Sequence, residues 1–467
     1  MTTLGIDLGT GSVKAALLDD DLHVVAKASR PNHVDAPQPG WAESDPQQWL
    51  VATQDALAEV TAAGGRVHGV GFSGQMHGVV VVDEHFAPLR PAILWADVRS
   101  VEQAQRLQSD MGARLSRVGS PAVAGFAGTT LAWLQEHEPD VMARAAHVLQ
   151  PKDWLRVALG GDLATDPSDA SGTLLYDVAD GHWSAPMIDW LGMPADRLPP
   201  VLASNGAGGE VRLGSVAVPC VVGGADTACA LAGLGLRTGG GFVAVGSGAQ
   251  VVRVMSRPEL DETLRTHTFA TAGPVGDGWY RIGAVQSAGL TLTPALAWLG
   301  ASIAEASAAL VGGVRPSDPV FVPYLSGERT PFMDPELRGA WYGLSLATDR
   351  RAVLRSILEG VAQAVALGVD AVQSSGERLP DVVPLIGGGT HDPAFQQLLA
   401  DATGLTLAIT DAPDSAVVGA GLLARGLTGN PQPVTSVSTV SPQSDSAQLL
   451  RERREMMRAY AQAEEKA

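Results

Sequence analysis

The sequence predicts an α/β protein built of two similar domains. Short apolar strands alternate with helical segments along the whole chain, and this alternation is typical of α/β architecture. Residues 4–18 read as a strand, a turn of glycine and hydroxyl residues, and a second strand, and residues 243–252 repeat that pattern. A pattern that returns in this way indicates a duplicated domain. We therefore expect domains over residues 1–238 and 239–467, joined near residues 236–241.

The first half opens with period-two alternation, a glycine-rich turn and a second apolar stretch, which together predict a β-hairpin. A helix begins near Pro46, because proline suits the first helical position, and it ends at the glycine pair of residues 64–65. The other elements predicted in this half are strands over residues 22–28, 67–72, 79–82 and 218–223 and a helix over residues 227–234.

The second half repeats the hairpin and then predicts a strand, a glycine turn and a helix. The strand ends with residues 384–386, the glycines are residues 387–389, and the helix covers residues 392–403. The charged segment 443–467 has the composition of a helix that lies across a surface.

The composition is that of an ordinary globular protein and excludes several classes of function. Hydrophobic residues make up 45% of the chain and charged residues 18%, which excludes a disordered protein. Thirty-two basic residues against 50 acidic ones give a net charge of −18, and an acidic protein repels the phosphates of nucleic acid. We therefore expect no nucleic-acid partner.

Membrane association and export are also not indicated. Lysines are too few for a polybasic patch, and no run approaches the ~20 apolar residues of a membrane span. The opening residues resemble no export signal. Cys220 and Cys229 fit neither a disulfide framework nor a zinc site and are expected in the core. These observations predict a cytoplasmic protein without a membrane partner.

The first candidate site is the opening hairpin, IDLGTGSVK. Its turn presents backbone N–H groups that can cradle a phosphate. Asp7 stands in an apolar strand, where an unpaired carboxylate is costly unless it faces a cleft and orders the hydration shell of Mg²⁺. The alternative is an ordinary hairpin with an acidic residue at its edge. The segment is not a Walker A loop, since the pattern GxxxxGK(S/T) is missing, and it is not a dinucleotide-binding loop, since no helix follows the glycines.

Three further glycine motifs lie at strand ends. Asp226 follows a strand and opens a helix, where it acts either as a helix cap or as a catalytic group in the crevice beyond the strands. The glycine–serine–glycine turn of residues 246–248 repeats the first hairpin, which favours a second phosphate turn. The glycines 387–389 can admit a nucleotide, although a simple turn is the default interpretation of such a triplet.

Two polar segments suit a polyhydroxy ligand. Gln75 and His77 follow a buried strand and supply neutral hydrogen-bonding groups, although a single loop histidine is more often structural. At strand spacing, Trp95, Asp97 and Arg99 share one face. They can bind a sugar, or the charged pair can be a simple surface ion pair.

Seven segments, in this order, resemble the FGGY carbohydrate kinases over nearly the whole chain. They are IDLGTGSVK, GQMHG, LWADVR, GGADTA, YLSGERTP, GLSLATDRRAVLRSILEG and IGGGT. GQMHG, LSGERTP and PKDWLR are similar to the xylulokinase branch of that family. The resemblance implies two duplicated actin-like (ribonuclease H-like) domains, with ATP and a sugar in the cleft between them.

The resemblance also implies a role for each matching residue. Asp226 corresponds to the catalytic base that takes the proton of the terminal sugar hydroxyl, and Asp7 to the acidic residue that assists Mg²⁺ and the phosphate. Substrate contacts are expected at Gln75, Met76, His77, Trp95, Asp97, Asp226 and Thr227. Nucleotide contacts are expected at Gly9, Thr10, Gly11, Ser12, Lys14, Gly246, Ser247, Gly248, Gly387, Gly388 and Gly389.

The implied activity is ATP- and Mg²⁺-dependent phosphorylation of a pentulose, D-xylulose to D-xylulose 5-phosphate. Ala96, Thr130 and Thr227 depart from the family pattern, and two of them touch the sugar side. Another pentulose or a pentitol is therefore the alternative substrate. A non-catalytic actin-like nucleotide-binding protein is the alternative from another class, and Asp226 argues against it, since binding alone needs no acid in the cleft. A homodimer is a candidate assembly.

Overall fold

The computed structural model describes residues 2–62, 64, 66–273, 276–374, 378–388, 391–412, 414–426 and 438–464. Within these ranges the chain forms two seven-stranded sheets flanked by helices, which confirms the predicted α/β class.

Short strands and helices alternate along most of the chain. The strands are β1 Thr2–Leu8, β2 Ser12–Leu18, β3 Val24–Pro31, β4 Glu43–Ser44, β5 Val67–Gly74, β6 Val80–Val82, β7 Ala92–Ile93, β8 His147–Leu149, β9 Tyr176–Asp177, β10 His182–Trp183, β11 Ala207–Leu213, β12 Val216–Val221, β13 Gly224–Ala225, β14 Gly241–Val245, β15 Ala249–Met255, β16 His267–Ala270, β17 Trp279–Val285, β18 Val320–Val322, β19 Ala340–Tyr342, β20 Val382–Ile386, β21 Thr406–Ile409 and β22 Ser438–Val440. The α-helices are α1 Pro46–Ala62, α2 Val101–Met111, α3 Ala127–His137, α4 Pro139–Arg144, α5 Pro151–Ala158, α6 Pro167–Ser171, α7 Ala185–Leu191, α8 Asp226–Gly233, α9 Gly289–Trp298, α10 Ile303–Ala309, α11 Arg350–Gln373, α12 Pro393–Thr403, α13 Ser415–Ala424 and α14 Ser444–Glu464. Two 3₁₀ helices cover Gly112–Val118 and Ala195–Arg197.

The first sheet has the order β11-β12-β5-β1-β2-β3, and β13 pairs with β5. The predicted opening hairpin is confirmed as the antiparallel pair β1 and β2. The third strand begins at Val24 and not at Leu22, because the Asp19 side chain accepts hydrogen bonds from the N–H groups of Asp21 and His23 at 2.9 Å. That Asp-centred turn occupies the residues predicted to start the strand.

The second sheet has the order β16-β17-β15-β14-β20-β21-β22. The repeated hairpin is confirmed as the antiparallel pair β14 and β15, and β14 also pairs in parallel with β20. Each sheet thus places a parallel strand beside the first strand of its hairpin, since β5 lies beside β1 in the first sheet. The repeat that the sequence indicates extends to the strand order.

Helix α11 forms much of the second core. Among the described residues it is the one helix long and apolar enough to cross a membrane, but 94% of its most apolar window is buried inside the protein. A core helix has this pattern equally. The charged last helix, α14, lies against it through ion pairs from Arg453 to Glu359 and from Arg454 to Asp370, each at 3.1 Å.

Helix α13 comes late in the chain but packs on the first sheet. It lies so close to β1 and β5 that Gly5 and Gly71 have no room for a side chain. A Cβ at Gly71 would lie 1.8 Å from the Ala420 carbonyl oxygen, and a Cβ at Gly5 would lie 2.0 Å from that of Val417. The second half of the sequence therefore contributes a helix to the first domain, which no pattern in the sequence predicted.

Candidate active site

Three neighbouring strands end at the same edge of the first sheet and place the candidate catalytic residues there. β5 runs parallel to both β1 and β13, so the carboxyl ends of all three strands meet. The register pairs Ser73 of β5 with Asp7 of β1 and with Gly224 of β13. Asp226 follows β13 directly and is the first residue of α8. The sheet thus brings Asp7 and Asp226 to one edge, where open α/β sheets bind ligands.

The Asp226 carboxyl is half-buried and has one free oxygen. Thr227 donates to its Oδ1 from the backbone N–H at 2.5 Å and from the hydroxyl at 3.1 Å. No residue that the structure describes donates to Oδ2. Burial, and after it the charge of Asp7, raises the pKa of Asp226 to about 6. Such a carboxyl is ionised at pH 7 yet more basic than an exposed aspartate, which suits a general base.

Asp7 is held by its strand neighbour. The Ser73 hydroxyl donates to Asp7 Oδ1 at 2.8 Å, and Oδ2 accepts no hydrogen bond within the described part of the chain. Burial raises the pKa of Asp7, although the Ser73 bond and the charge of Lys14 act in the opposite direction. A cation that approached the free oxygen would stabilise the ionised carboxylate.

The first glycine turn is closed by a hydrogen bond from the Gly9 N–H to the Ser12 carbonyl at 3.0 Å. Gly11 is exposed, and a Cβ there would meet nothing within 4 Å. Lys14 points to a different partner from the predicted phosphate, because its Nζ forms an ion pair with Asp414 at 3.4 Å. Lys14 thereby ties the hairpin to the start of α13.

The hydroxyl of Thr10 links the first turn to the predicted sugar contacts. It donates to Gln75 Oε1 at 3.0 Å and accepts from Trp95 Nε1 at 2.9 Å. Gln75 is 2% exposed, and its Nε2 has no hydrogen-bond partner among the described residues. An unpaired buried amide costs free energy unless a ligand or water completes it. Gln75 therefore offers a donor to a bound polar molecule.

His77 is an uncharged histidine with one nitrogen available to accept a hydrogen bond. Its Nδ1 lies 2.7 Å from the Gly172 carbonyl oxygen, which can only accept, so Nδ1 carries the proton. Its ring stacks on Phe126 at 3.7 Å. Burial, with the charge of Arg329, lowers the pKa of His77 to about 4 despite the Gly172 bond. The imidazole is therefore uncharged at pH 7 and presents the lone pair of Nε2.

Trp95, Asp97 and Arg99 do not lie on a strand, so the strand spacing that would place them on one face does not apply. The segment is a turn in which the Asp97 N–H donates to the Leu94 carbonyl at 3.0 Å. Asp97 is 1% exposed, and its two oxygens accept four hydrogen bonds, from the Ala42 N–H and from Arg99. No lone pair is left for a sugar, so the geometry corrects Asp97 from a substrate contact to a brace of this turn. Trp95, at 38% exposure, remains open to a ligand.

Two further glycine turns follow β14 and β20 in the second sheet. The exposed turn Gly246–Gly248 is closed by a hydrogen bond from the first N–H to the last carbonyl at 2.8 Å. Gly387 has a φ of +105°, and a Cβ there would lie 2.4 Å from the Val245 carbonyl oxygen, so only glycine fits. Gly388 has open space around it, and Gly389 lies outside the described residues.

A cavity of about 790 Å³ opens beside Gly388. Leu292, Leu358 and Phe395 form apolar walls, and His391 adds a polar group. The combination of apolar walls and an adjoining glycine turn suits a heteroaromatic ring that continues into phosphates.

The second sheet contributes residues beside Met76 and His77 that no sequence motif indicated. Tyr280 is fully buried, and its hydroxyl donates to the sulfur of Met76 at 3.6 Å. Burial, followed by the charge of Asp226, raises the pKa of Tyr280, so its hydroxyl stays protonated. The ring of Phe269 lies 5.8 Å from the His77 ring. Both residues have the sequence pattern of ordinary strand positions, and no other signal marked them.

Comparison with known proteins matches the chain to one family. The model of the FGGY family of carbohydrate kinases, N-terminal domain, matches residues 2–233, and that of the C-terminal domain matches residues 259–425. The xylulose kinase of Klebsiella pneumoniae is 36% identical over 419 residues, which cover 86% of this chain and 85% of that protein. The xylulose kinase of Escherichia coli (strain K12) is 35% identical over 427 residues, with the same two coverages.

Solved structures show the same fold. The crystal structure of a xyloylose kinase from Brucella ovis superposes with a TM-score of 0.93 at 31% sequence identity, over 99% of both chains. The xylulose kinase structure from Rhodospirillum rubrum superposes with a TM-score of 0.88 at 25% identity, over 98% of both chains. With both family models matched and these relatives covering most of its length, the chain belongs to the FGGY family of carbohydrate kinases.

Proposed function

We propose that this protein phosphorylates D-xylulose with ATP to give D-xylulose 5-phosphate and ADP. The observation that carries the proposal is Asp226, a half-buried carboxyl with a pKa of about 6 and a free oxygen at the edge of the sheet. A protein that only binds nucleotide needs no such base. The relatives in Klebsiella pneumoniae and Escherichia coli, both xylulose kinases, support this choice of sugar.

The chain's own groups fit the reaction. Asp226 takes the proton of the sugar's terminal hydroxyl as the hydroxyl oxygen bonds to the γ-phosphorus of ATP, and the bond from that phosphorus to the β,γ-bridging oxygen breaks. Phosphoryl transfer depends chiefly on positioning and on charge neutralisation. The glycine turns of residues 9–12, 246–248 and 387–388 provide N–H groups for the phosphates, and the apolar cavity beside Gly388 suits the adenine ring.

Mg²⁺ is part of the proposal, and Asp7 is the residue that would hold it through its hydration shell. The free Oδ2 of Asp7 is a hard oxygen ligand of the kind that Mg²⁺ prefers, and it lies beside the first phosphate turn. Bound Mg²⁺ would offset the negative charge of the ATP phosphates.

A coupled assay of ADP release tests the proposed function. It compares D-xylulose with other pentuloses and with pentitols, with and without added Mg²⁺. We expect the highest kcat/KM for D-xylulose and no turnover without a divalent cation. A higher value for another sugar would replace the substrate, and ATP binding without turnover of any sugar would favour the non-catalytic alternative.

The pH dependence of kcat/KM should report the base. Because kcat/KM follows the free enzyme, and because Asp226 titrates at about 6, we expect a loss of about tenfold per pH unit below that value. His77 titrates at about 4 and stays neutral over this range. A midpoint below about pH 4.5 would remove Asp226 from the role of base.

Thr227→Val is the matched control for this profile. It removes the hydroxyl bond to Asp226 Oδ1 but keeps the backbone N–H bond. Since the hydroxyl bond lowers the pKa of Asp226, the midpoint of the variant should move to higher pH. An unchanged midpoint would mean that a group other than Asp226 causes the loss of kcat/KM at low pH.

His77→Ala should raise the KM for D-xylulose by roughly ten- to a hundredfold, because the loss of one hydrogen bond costs about 1–3 kcal/mol. The KM for ATP should change little. His267→Ala is the matched control, since His267 is a second buried neutral imidazole in the same aromatic stack and bonds Ser120 at 2.8 Å. Equal KM values for the two variants would mean that His77 only braces its turn.

We also propose a domain boundary, a cellular location and an oligomeric state for this protein. The gap between the two family-model matches, residues 234–258, contains the proposed boundary at residues 238 and 239. We propose a cytoplasmic protein, and a homodimer is the assembly to test by light scattering. The substrate is a small sugar, as for the related kinases.

A further inference from the structure

A fully buried charged cluster lies behind the catalytic edge of the first sheet. Lys152, at the start of α5, places its Nζ 2.7 Å from Asp153, 3.1 Å from Asp166 and 3.0 Å from Asp169. All four side chains are 0% exposed. Burying so many charges is costly, and a bond network of this kind persists where it holds a defined geometry. The proposed reaction uses none of these groups directly.

The cluster reaches the base through one serine. The Ser168 hydroxyl donates to Asp166 Oδ2 at 2.5 Å, and the oxygen of that same hydroxyl accepts the backbone N–H of Ala225 at 2.9 Å. Ala225 immediately precedes Asp226 and is the cap residue of α8. Ser168 is 0% exposed, so its hydroxyl, and not solvent, is the acceptor for that N–H.

Lys152 also lies close to the strand that pairs with Ala225. Gly74 of β5 is the strand partner of Ala225. A Cβ at Gly74 would lie 2.8 Å from the Cβ of Lys152, so the start of α5 rests directly on this strand end. The cluster and the catalytic strand ends are therefore one packed unit.

We propose that Lys152, Asp166 and Ser168 are positioning residues that fix the Ala225 peptide and thereby aim the Asp226 carboxylate at the sugar hydroxyl. This inference rests on the proposed function. A base displaced by about 1 Å can lose about a hundredfold in rate. The effect should therefore appear in kcat and not in the binding of ATP.

Ser204 offers a matched control for Ser168. Its hydroxyl donates to the same Asp166 Oδ2 at 2.6 Å and accepts a backbone N–H, that of Gly273, at 3.0 Å. It too is 0% exposed. Ser168→Ala and Ser204→Ala thus each remove a hydroxyl that donates to the same carboxylate oxygen and accepts one backbone N–H, but only Ser168 bonds the residue before Asp226.

The experiment measures kcat, both KM values and the melting temperature of the two variants. We expect similar decreases in melting temperature, a kcat reduced at least about tenfold for Ser168→Ala, and a kcat within about twofold of wild type for Ser204→Ala. The KM for ATP should be unchanged in both. If Ser168→Ala does not fold, Ser168→Cys replaces it, because the thiol is of similar size and a weak donor. Its kcat should also fall further than that of Ser204→Ala.

A double variant separates positioning from general damage. If Ser168 acts through Asp226, then Ser168→Ala should cause no further loss of residual rate in the Asp226→Asn background. Equal kcat losses in the two serine variants, or a full further loss in the double variant, would overturn the inference. An inactive wild type would instead overturn the proposed function.

Discussion

Asp226→Asn should lower kcat by about a hundredfold to ten-thousandfold, which is the range a positioned general base contributes. The amide keeps the shape of the side chain and can still accept the two hydrogen bonds that Thr227 donates. It cannot take a proton from the sugar. ADP release in the coupled assay measures the loss, and a variant that keeps more than about a tenth of the wild-type kcat would contradict the role.

The same variant should be more stable than the wild type. The pKa of Asp226 is raised from 3.8 to about 6 in the folded protein, so the folded state binds more protons than the unfolded state between these values. The free energy of unfolding therefore decreases as pH rises from about 4 to 6. At pH 7.5 the ionised carboxylate destabilises the folded state. Asparagine removes that cost, of order 1–3 kcal/mol.

Thermal unfolding at pH 7.5 and at pH 4 checks this sign. We expect a higher melting temperature for Asp226→Asn at pH 7.5 and a smaller difference at pH 4, where the wild-type group is protonated. A lower melting temperature at pH 7.5 would show that the carboxylate stabilises the fold. Unchanged ATP affinity serves as the control for an intact nucleotide side.

Gly71→Ala should prevent formation of a stable native state. The added Cβ would lie 1.8 Å from the Ala420 carbonyl oxygen and 2.7 Å from its carbon, so helix α13 would have to move away from the sheet. α13 also packs against α8, where a Cβ at Gly419 would lie 1.9 Å from the Cys229 carbonyl oxygen. With no space on either side, we expect a destabilisation of more than about 4 kcal/mol.

Gly69→Ala is the graded control, because it lies on the same strand and faces the same helix. Its Cβ would lie 3.1 Å from the Ala424 carbonyl oxygen, a contact that a small shift relieves. Urea unfolding should show a modest loss for this variant and no cooperative transition for Gly71→Ala. Similar midpoints for both would mean that α13 can move without cost.

The local parts of the fold could be predicted from the sequence. The two hairpins form as predicted because alternation and glycine turns are short-range signals. Helix α12 begins after Asp392, whose side chain accepts from the N–H groups of Ala394 and Phe395. The alternation of Trp95, Asp97 and Arg99 was misleading, because hydrogen bonds of the Asp97 side chain compete with strand formation. They hold the segment in a turn.

The candidate site divides in the same way. The identity of its members, such as Asp7, Asp226 and His77, follows from motifs along the chain. Their states do not, because the tautomer of His77 is set by its hydrogen bond to Gly172, and both the lowered pKa of His77 and the raised pKa of Asp226 depend on burial. The role of Ser168 depends on a contact between segments that carry no shared pattern.

The sequence by itself determined the α/β class, the duplicated hairpins and the family, since these depend on residue order and local turns. Only the tertiary structure decided that α13, from the second half of the sequence, packs on the first sheet, and that Tyr280 of the second sheet meets Met76 in the turn after β5. The physical reason is that close packing depends on which surfaces fit together in space. A glycine such as Gly71 shows the space it leaves only when the helix that fills it is in place.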